Sequence, residues 1–268
     1  MNDPKTYQAA RIGDTADWRL ICVISEKGMS AFLKHTNPTE DIVTLFTDKW
    51  LAGNEGLLEN IENSVYDHPQ VLDDFTADII LVAPKSLWIP TALITEDEDE
   101  ACRFYTQIYK AEYEDIMIET VDEATCVFSL VPGLTSFLQR TFPGARVHSH
   151  LAIMARRFRE RSADMPRVYL DIHDNMVDFI SFDRRKLLMA TTHFWRELTD
   201  IQYHLFNIMN VYGLDPKEAQ VSISGPREIK TELMRELRKN IEFVMFTMMP
   251  GIGAKAGMPL PAALMIRQ

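Results

Sequence analysis

Cysteine is scarce in this chain: Cys22, Cys102 and Cys126 are the only three in 268 residues. An odd number of cysteines so far apart supports neither a disulfide framework nor a metal knuckle. Each sits in an apolar or helical-looking stretch, which reads as a buried thiol in a reducing cytoplasm. No uninterrupted apolar run approaches the roughly 20 residues needed to span a bilayer. The polar, acid-bearing start before Trp18 lacks the basic opening and apolar segment of a secretory signal. A cytoplasmic protein without a transmembrane segment is expected. Positive charge is also in deficit, 28 Lys and Arg against 39 Asp and Glu, a net charge of −11. That balance opposes phosphate backbones and anionic lipid, so nucleic acid is excluded as the main partner. There is no Gly-x-Ser-x-Gly, no Cys–His pairing and no Walker loop, which leaves nucleophilic and P-loop chemistry unsupported.

What is present is material for a core. Hydrophobic residues make up 46% and charged residues 25%, which excludes global disorder and suits one large domain or two small ones. Three strands are expected at 19–25, 28–35 and 41–47, rich in β-formers and separated at Lys27-Gly28 and Asn37-Pro38. Leu57, Leu58, Ile61 and Val65 recur at helical spacing behind Asn54 as a cap. Ala77 to Ala83 is a continuous apolar run ending at Pro84, the pattern of a strand buried on both faces.

The middle changes texture. An acidic run from Thr95 to Glu100 reads as the solvated start of a helix reaching Lys110, its acids favoured by the helix dipole. Strands follow at 116–120 and 125–130, a helix opens at Pro132, and a short strand at 145–148 leads into a helix over 152–161. That helix carries Arg156, Arg157, Arg159 and Arg161, the one basic cluster, read as an intramolecular counterbalance on an acidic chain. From Pro166 a second series begins, with strands at 167–172, 176–182 and 186–192, then a helix over 197–212 stopped by Gly213. A strand at 220–224, a helix through Leu233 and Leu237, and a strand at 241–246 complete it. Asp171, Asp174, Asp178 and Asp183 read as surface turn acids. His148, His150, His173 and His193 read as histidines with ordinary polar contacts. The apolar, proline-bearing tail from Thr247 reads as packed on its own half through 262–266.

The two passages share the order strand, strand, strand, helix, strand about 145 residues apart, as a duplicated unit does. A β-β-β-α-β-α plan occurring twice resembles the actin-like ATPase superfamily, with its ribonuclease-H-like halves, from about Trp18 to Phe246. Within that superfamily it is most similar to a bacterial family of uncharacterised actin-like proteins, akin to the actin-like subunit of type IV pilus assembly platforms. The resemblance implies mixed sheets flanked by helices. It divides the chain into a first half, 1–165, with an inserted α+β segment around 85–150, and a second half, 166–268.

The resemblance also implies ATP and Mg²⁺ in a cleft between halves, held by three loops. The first loop should carry Asp-x-Gly; this chain has Glu26-Lys27-Gly28. The second should carry Asp-x-Gly with a following hydroxyl residue; this chain has Asp171-Ile172-His173, a side chain where backbone should meet phosphate. The third should lead a strand into Gly-Gly; this chain has Ser224-Gly225-Pro226, and proline lacks the N–H. The nucleotide-binding candidates are thus Glu26, Gly28, Asp171, His173, Ser224 and Gly225, with no catalytic or metal residue assigned. The expectation is a noncatalytic actin-like scaffold with a degenerate cleft, no cofactor, and a protein partner or a second copy of itself. The alternative is an ATP-binding protein with an atypical phosphate site, which would use ATP and Mg²⁺.

Overall fold

The computed structural model describes residues 12–40, 42–50, 56–94, 99–248 and 258–266. Asn54, Thr95 and the tail segment 249–257, which figure in the expectations above, lie outside the described residues. The chain divides into two compact units. Unit 1 comprises 1–83, 98–117 and 128–150, and unit 2 comprises 84–97, 118–127 and 151–268. The division does not fall at one cut near residue 165, because pieces of the middle segment pack with the C-terminal series and the rest with the N-terminal one.

In unit 1, β1 (Trp18–Ser25), β2 (Gly28–His35) and β3 (Val43–Lys49) form an antiparallel meander, and α1 (Leu57–Asp67) follows. β4 (Thr76–Leu81) and β8 (Arg146–Ser149) then join in parallel, giving the order β3-β2-β1-β4-β8. The connection from β4 to β8 contains β5 (Ser86–Pro90), α2 (Asp99–Tyr109), β6 (Met117–Val121), β7 (Ala124–Phe128) and α3 (Leu134–Thr141). Its three strands make a small sheet of their own, β5-β7-β6. Sequence pattern does not announce β5: five residues between Pro84 and Pro90 carry no alternation, and Pro90 is accommodated because β5 is an edge strand. Pro132 does not open α3. The N-cap is Gly133 at φ 81°, and its N–H is held by Asp115 Oδ2 at 2.8 Å, a cap supplied from 18 residues upstream.

Unit 2 repeats the plan with β9 (Arg167–His173), β10 (Met176–Asp183), β11 (Lys186–Phe194), α5 (Leu198–Val211), β12 (Gln220–Ser224), α6 (Arg227–Leu237) and β13 (Phe243–Phe246). Its sheet order is β11-β10-β9-β12-β13, antiparallel then parallel, the same topology as in unit 1. One face is apolar: Leu170, Ile172, Val177, Phe179, Val221 and Ile223 pack with Ile201, Leu205, Leu233 and Leu237 of the two helices. The other face receives α4 (His150–Arg159), where Phe158 stacks on Tyr169 at 3.9 Å and 3°. That face mixes apolar residues with buried polar ones, so β9 and β10 read as hydrophobic runs broken by single polar positions.

The β10–β11 hairpin turns through Arg184 and Arg185 at φ 45° and 72°. Both central residues of such a turn need positive φ, a place usually filled by Asn-Gly. Here the clamp is tertiary, since Arg185 N–H donates to Ser162 O at 2.9 Å.

The arginines of α4 and the residues just after it are spent inside unit 2. Arg156 reaches Glu119 at 2.6 Å, Arg159 reaches Asp122 at 2.8 Å, Arg161 donates to Met248 O, and Arg157 donates to Leu264 O. The last contact ties down α7 (Leu260–Met265), whose Pro261, Ala262, Leu264 and Met265 are buried. The tail segment that is described thus falls in unit 2 with α4, whereas packing on 166–268 was expected. Burying a Leu or Met side chain is worth about 1.5–3 kcal/mol. Deleting residues 258–268 is therefore expected to lower the melting temperature by roughly 5–10 °C without changing the mass in light scattering. An unchanged melt with a reduced mass would assign the tail to a partner instead.

Candidate functional site

In unit 2 the candidates gather where β9 turns into β10. Antiparallel pairing sets Asp178 opposite both Asp171 and Thr192, and parallel pairing sets Ser224 opposite Asp171. Residues directly opposite one another share a face. Thr192, Asp178, Asp171 and Ser224 therefore form one row across β11, β10, β9 and β12, with His173 two positions beyond Asp171 on the same face. Asp171 and Asp178 are buried, at 7% and 1% exposure, while Asp174 and Asp183 stand exposed at strand ends and turns. The reading of all four as surface acids is corrected for the two central ones, because strand register, not turn chemistry, places them.

A buried carboxylate needs partners. Asp178 receives the Thr192 hydroxyl at 2.6 Å on one oxygen and His173 Nε2–H at 2.9 Å on the other. Burial pushes the His173 imidazole down, but Asp178, by charge and hydrogen bond, with Asp171 and Asp174 beyond it, lifts it to about 9. His173 is thus an imidazolium at neutral pH, turned back into its own sheet. At the strand following, Ser224 Oγ–H donates to Leu170 O at 2.9 Å. Gly225 has φ 126°, and a Cβ there would lie 2.6 Å from Ile172 O. Its glycine is required by the neighbouring strand's backbone.

In unit 1 the corresponding turn is two residues, Glu26-Lys27, both exposed. Ser25 Oγ accepts Lys27 N–H and donates to Gly28 O, which closes the turn. A Cβ on Gly28 would collide with Asp48 O of β3. Here too the glycine admits a close backbone, and that backbone belongs to the protein. The other polar concentration in this unit surrounds Asp78, 1% exposed, which takes Arg19 at 2.8 Å, Arg146 at 2.9 Å and His148 at 3.2 Å from flanking strands. Sequence reading misses it, although a lone acid inside an apolar strand is a signal that cationic neighbours must exist. His148 and His173 each meet a buried aspartate. All three cysteines are buried and none is in a disulfide, and burial pushes the Cys22 thiol up to about 12.

The chain belongs to the protein family described as Protein of unknown function (DUF3822), whose model matches residues 9–244. No curated protein matches the sequence. Among solved structures it is similar to a Bacteroides thetaiotaomicron VPI-5482 protein with actin-like ATPase fold and unknown function. That likeness has 17% identity and a TM-score of 0.81 over the whole of both chains. It is also similar to a chain of the PilM-PilN type IV pilus biogenesis complex, with 10% identity and a TM-score of 0.54 over 87% of this chain and 89% of that one. The fold is the actin-like ATPase fold. Among the described residues no helix is long and apolar enough to cross a membrane.

The His173 pKa is raised above its ordinary 6.5, so the stability it supplies is fully present below about pH 6.5 and is lost as pH rises through about 9. Urea unfolding from pH 6 to 10 is expected to show a decline on the order of 2–3 kcal/mol, absent in His173→Gln. A parallel decline in both proteins would remove the ion pair as its cause. Gly28→Ala is expected to destabilise by about 1–3 kcal/mol by forcing β2 from β3, read as a lower urea midpoint; an unchanged midpoint would show that the strands separate freely.

Proposed function

We propose that this protein is a noncatalytic member of the actin-like fold, a scaffold that binds a protein partner or a second copy of itself, with no nucleotide cofactor. The observation that carries the reading is the His173–Asp178 pair. In an actin-like phosphate loop the backbone approaches phosphate and carboxylates order the metal's water. Here an imidazolium occupies the glycine position and supplies, from within the chain, the positive charge those carboxylates would otherwise draw from a metal ion. Gly28 and Gly225 support the same reading, since each makes room for a neighbouring strand, and Pro226 removes an N–H donor. A role in protein assembly is supported by likeness of fold to a chain of a pilus biogenesis complex.

The alternative, an ATP-binding protein with an atypical phosphate site, is favoured by Asp171 and Ser224 standing opposite one another at the ends of β9 and β12. Thermal melts with ATP and Mg²⁺ separate the two. A ligand at a hundred times its Kd stabilises the folded state by about 2.7 kcal/mol, several degrees in Tm. The expected shift is under about 1 °C. A shift of several degrees that Asp171→Ala abolishes would overturn the scaffold reading.

A further inference from the structure

Unit 2 holds two histidines against one another where β11 meets α5. The His193 and His204 rings are stacked, 4.0 Å apart and 15° from parallel. Strand register sets His193 opposite Val177, on the same face as Phe179 and the apolar cluster. Both imidazoles border Phe179, with ring centroids at 5.8 and 6.4 Å, and Phe179 is fully buried. The pair is thus part of the cover over that ring. β11 is an edge strand, and of its nine residues Ala190 alone is buried. Ala190 lies opposite Ile180, on the face away from α5. On the α5 side the strand has half-buried Met189 and His193, with Trp195 just beyond its end. Of these three, His193 alone can acquire a charge.

The charges around the stack are few. On α5, Asp200 stands one turn before His204, and its carboxylate accepts the N–H groups of Arg196 and Glu197. Those two hydrogen bonds, with the charges of His204 and Arg196, hold the Asp200 carboxyl below the usual carboxylate range. Tyr203 meets the His204 ring edge-on. From β10 the facing residues are Val177 and Phe179, and β5, which packs beside β11, carries no titratable side chain. α6 meets the cluster through Ile229, Leu233, Met234 and Leu237. Burial, and after it the charge of His204, push the His193 imidazole below its ordinary value. Asp200 therefore favours the proton on His204, and among the described residues no carboxylate pairs with His193.

Two neutral imidazoles, or an imidazole and an imidazolium, can stack, whereas two imidazoliums at this distance repel. The pair accordingly takes its protons in two steps, the first on His204 and the second on His193, against a positive neighbour and partly out of water. We propose that the His193–His204 stack is a pH-sensitive latch between β11 and α5, closed while at most one ring is charged and opened by the second proton, which frees the edge strand and uncovers Phe179. The latch operates whether or not the protein is a scaffold. An imidazole held below its ordinary pKa supplies stability that is present above about pH 6.5 and is lost as the pH falls. The opening thus belongs to the acid side, whereas the His173–Asp178 pair weakens on the alkaline side.

The test follows the histidine ring resonances of the full chain by NMR from about pH 8 to 5, with amide hydrogen exchange corrected for its intrinsic rate. His204 is expected to titrate before His193, and His204→Asn to move the His193 midpoint up toward the ordinary value. Between about pH 7.5 and 5, exchange at the β11 amides that pair with β10 is expected to rise about tenfold relative to β9. His193→Phe keeps a ring on His204 but takes no proton, and is expected to abolish that rise. Opening of β11 that persists in His193→Phe overturns the latch. So does a His193 midpoint that His204→Asn leaves unmoved, or His193 titrating first. Exchange rising equally in β9 and β11 would report unfolding of the whole unit and overturn it too. Should His193→Phe fail to fold, the wild-type exchange and the His204→Asn titration decide.

Discussion

The two five-stranded sheets are buried on both faces at their central strands, and that burial dictates the chemistry of everything polar inside them. A charge there has no water, so it must meet its opposite within the fold. Asp78 meets two arginines and a histidine from neighbouring strands. Asp178 meets His173 and Thr192. The same close packing explains the glycines, because a strand pressed against another strand's carbonyl leaves no space for a Cβ at Gly28 or Gly225.

Under the proposed reading, an actin-like fold keeps its architecture while its nucleotide loops change. The loop positions are set by strand register, and register is set by the apolar faces. Neither depends on phosphate. Once His173 stands where glycine would, its side chain lies beside Asp178 by the two-residue spacing of β9, and the pair satisfies the buried carboxylate. The loop is then held by its own charges.

The duplication was legible because its signal is period and order, which burial writes into the sequence of every strand. Most strands stand within two residues of their expected bounds, and β2 and β12 on them. β5 was not legible, being too short to alternate. The α3 cap was not, because Asp115 lies 18 residues away. The Arg184-Arg185 turn carries no Asn-Gly signature, since its left-handed backbone is imposed by Ser162 from another element.

The sequence alone determined the fold class and the repeated order of strands and helices. Local periodicity and turn chemistry act over a few residues, and those features are local. The arginines after His150 read from the sequence as a counterbalance within an acidic chain. Only the tertiary structure decided which acids they meet, that Asp171 and Asp178 are interior and not surface, and that Gly28 and Gly225 make way for protein backbone. Each of these depends on which strand lies next to which, and pairing between strands tens of residues apart is settled by packing the whole core at once, not by any segment's own preference.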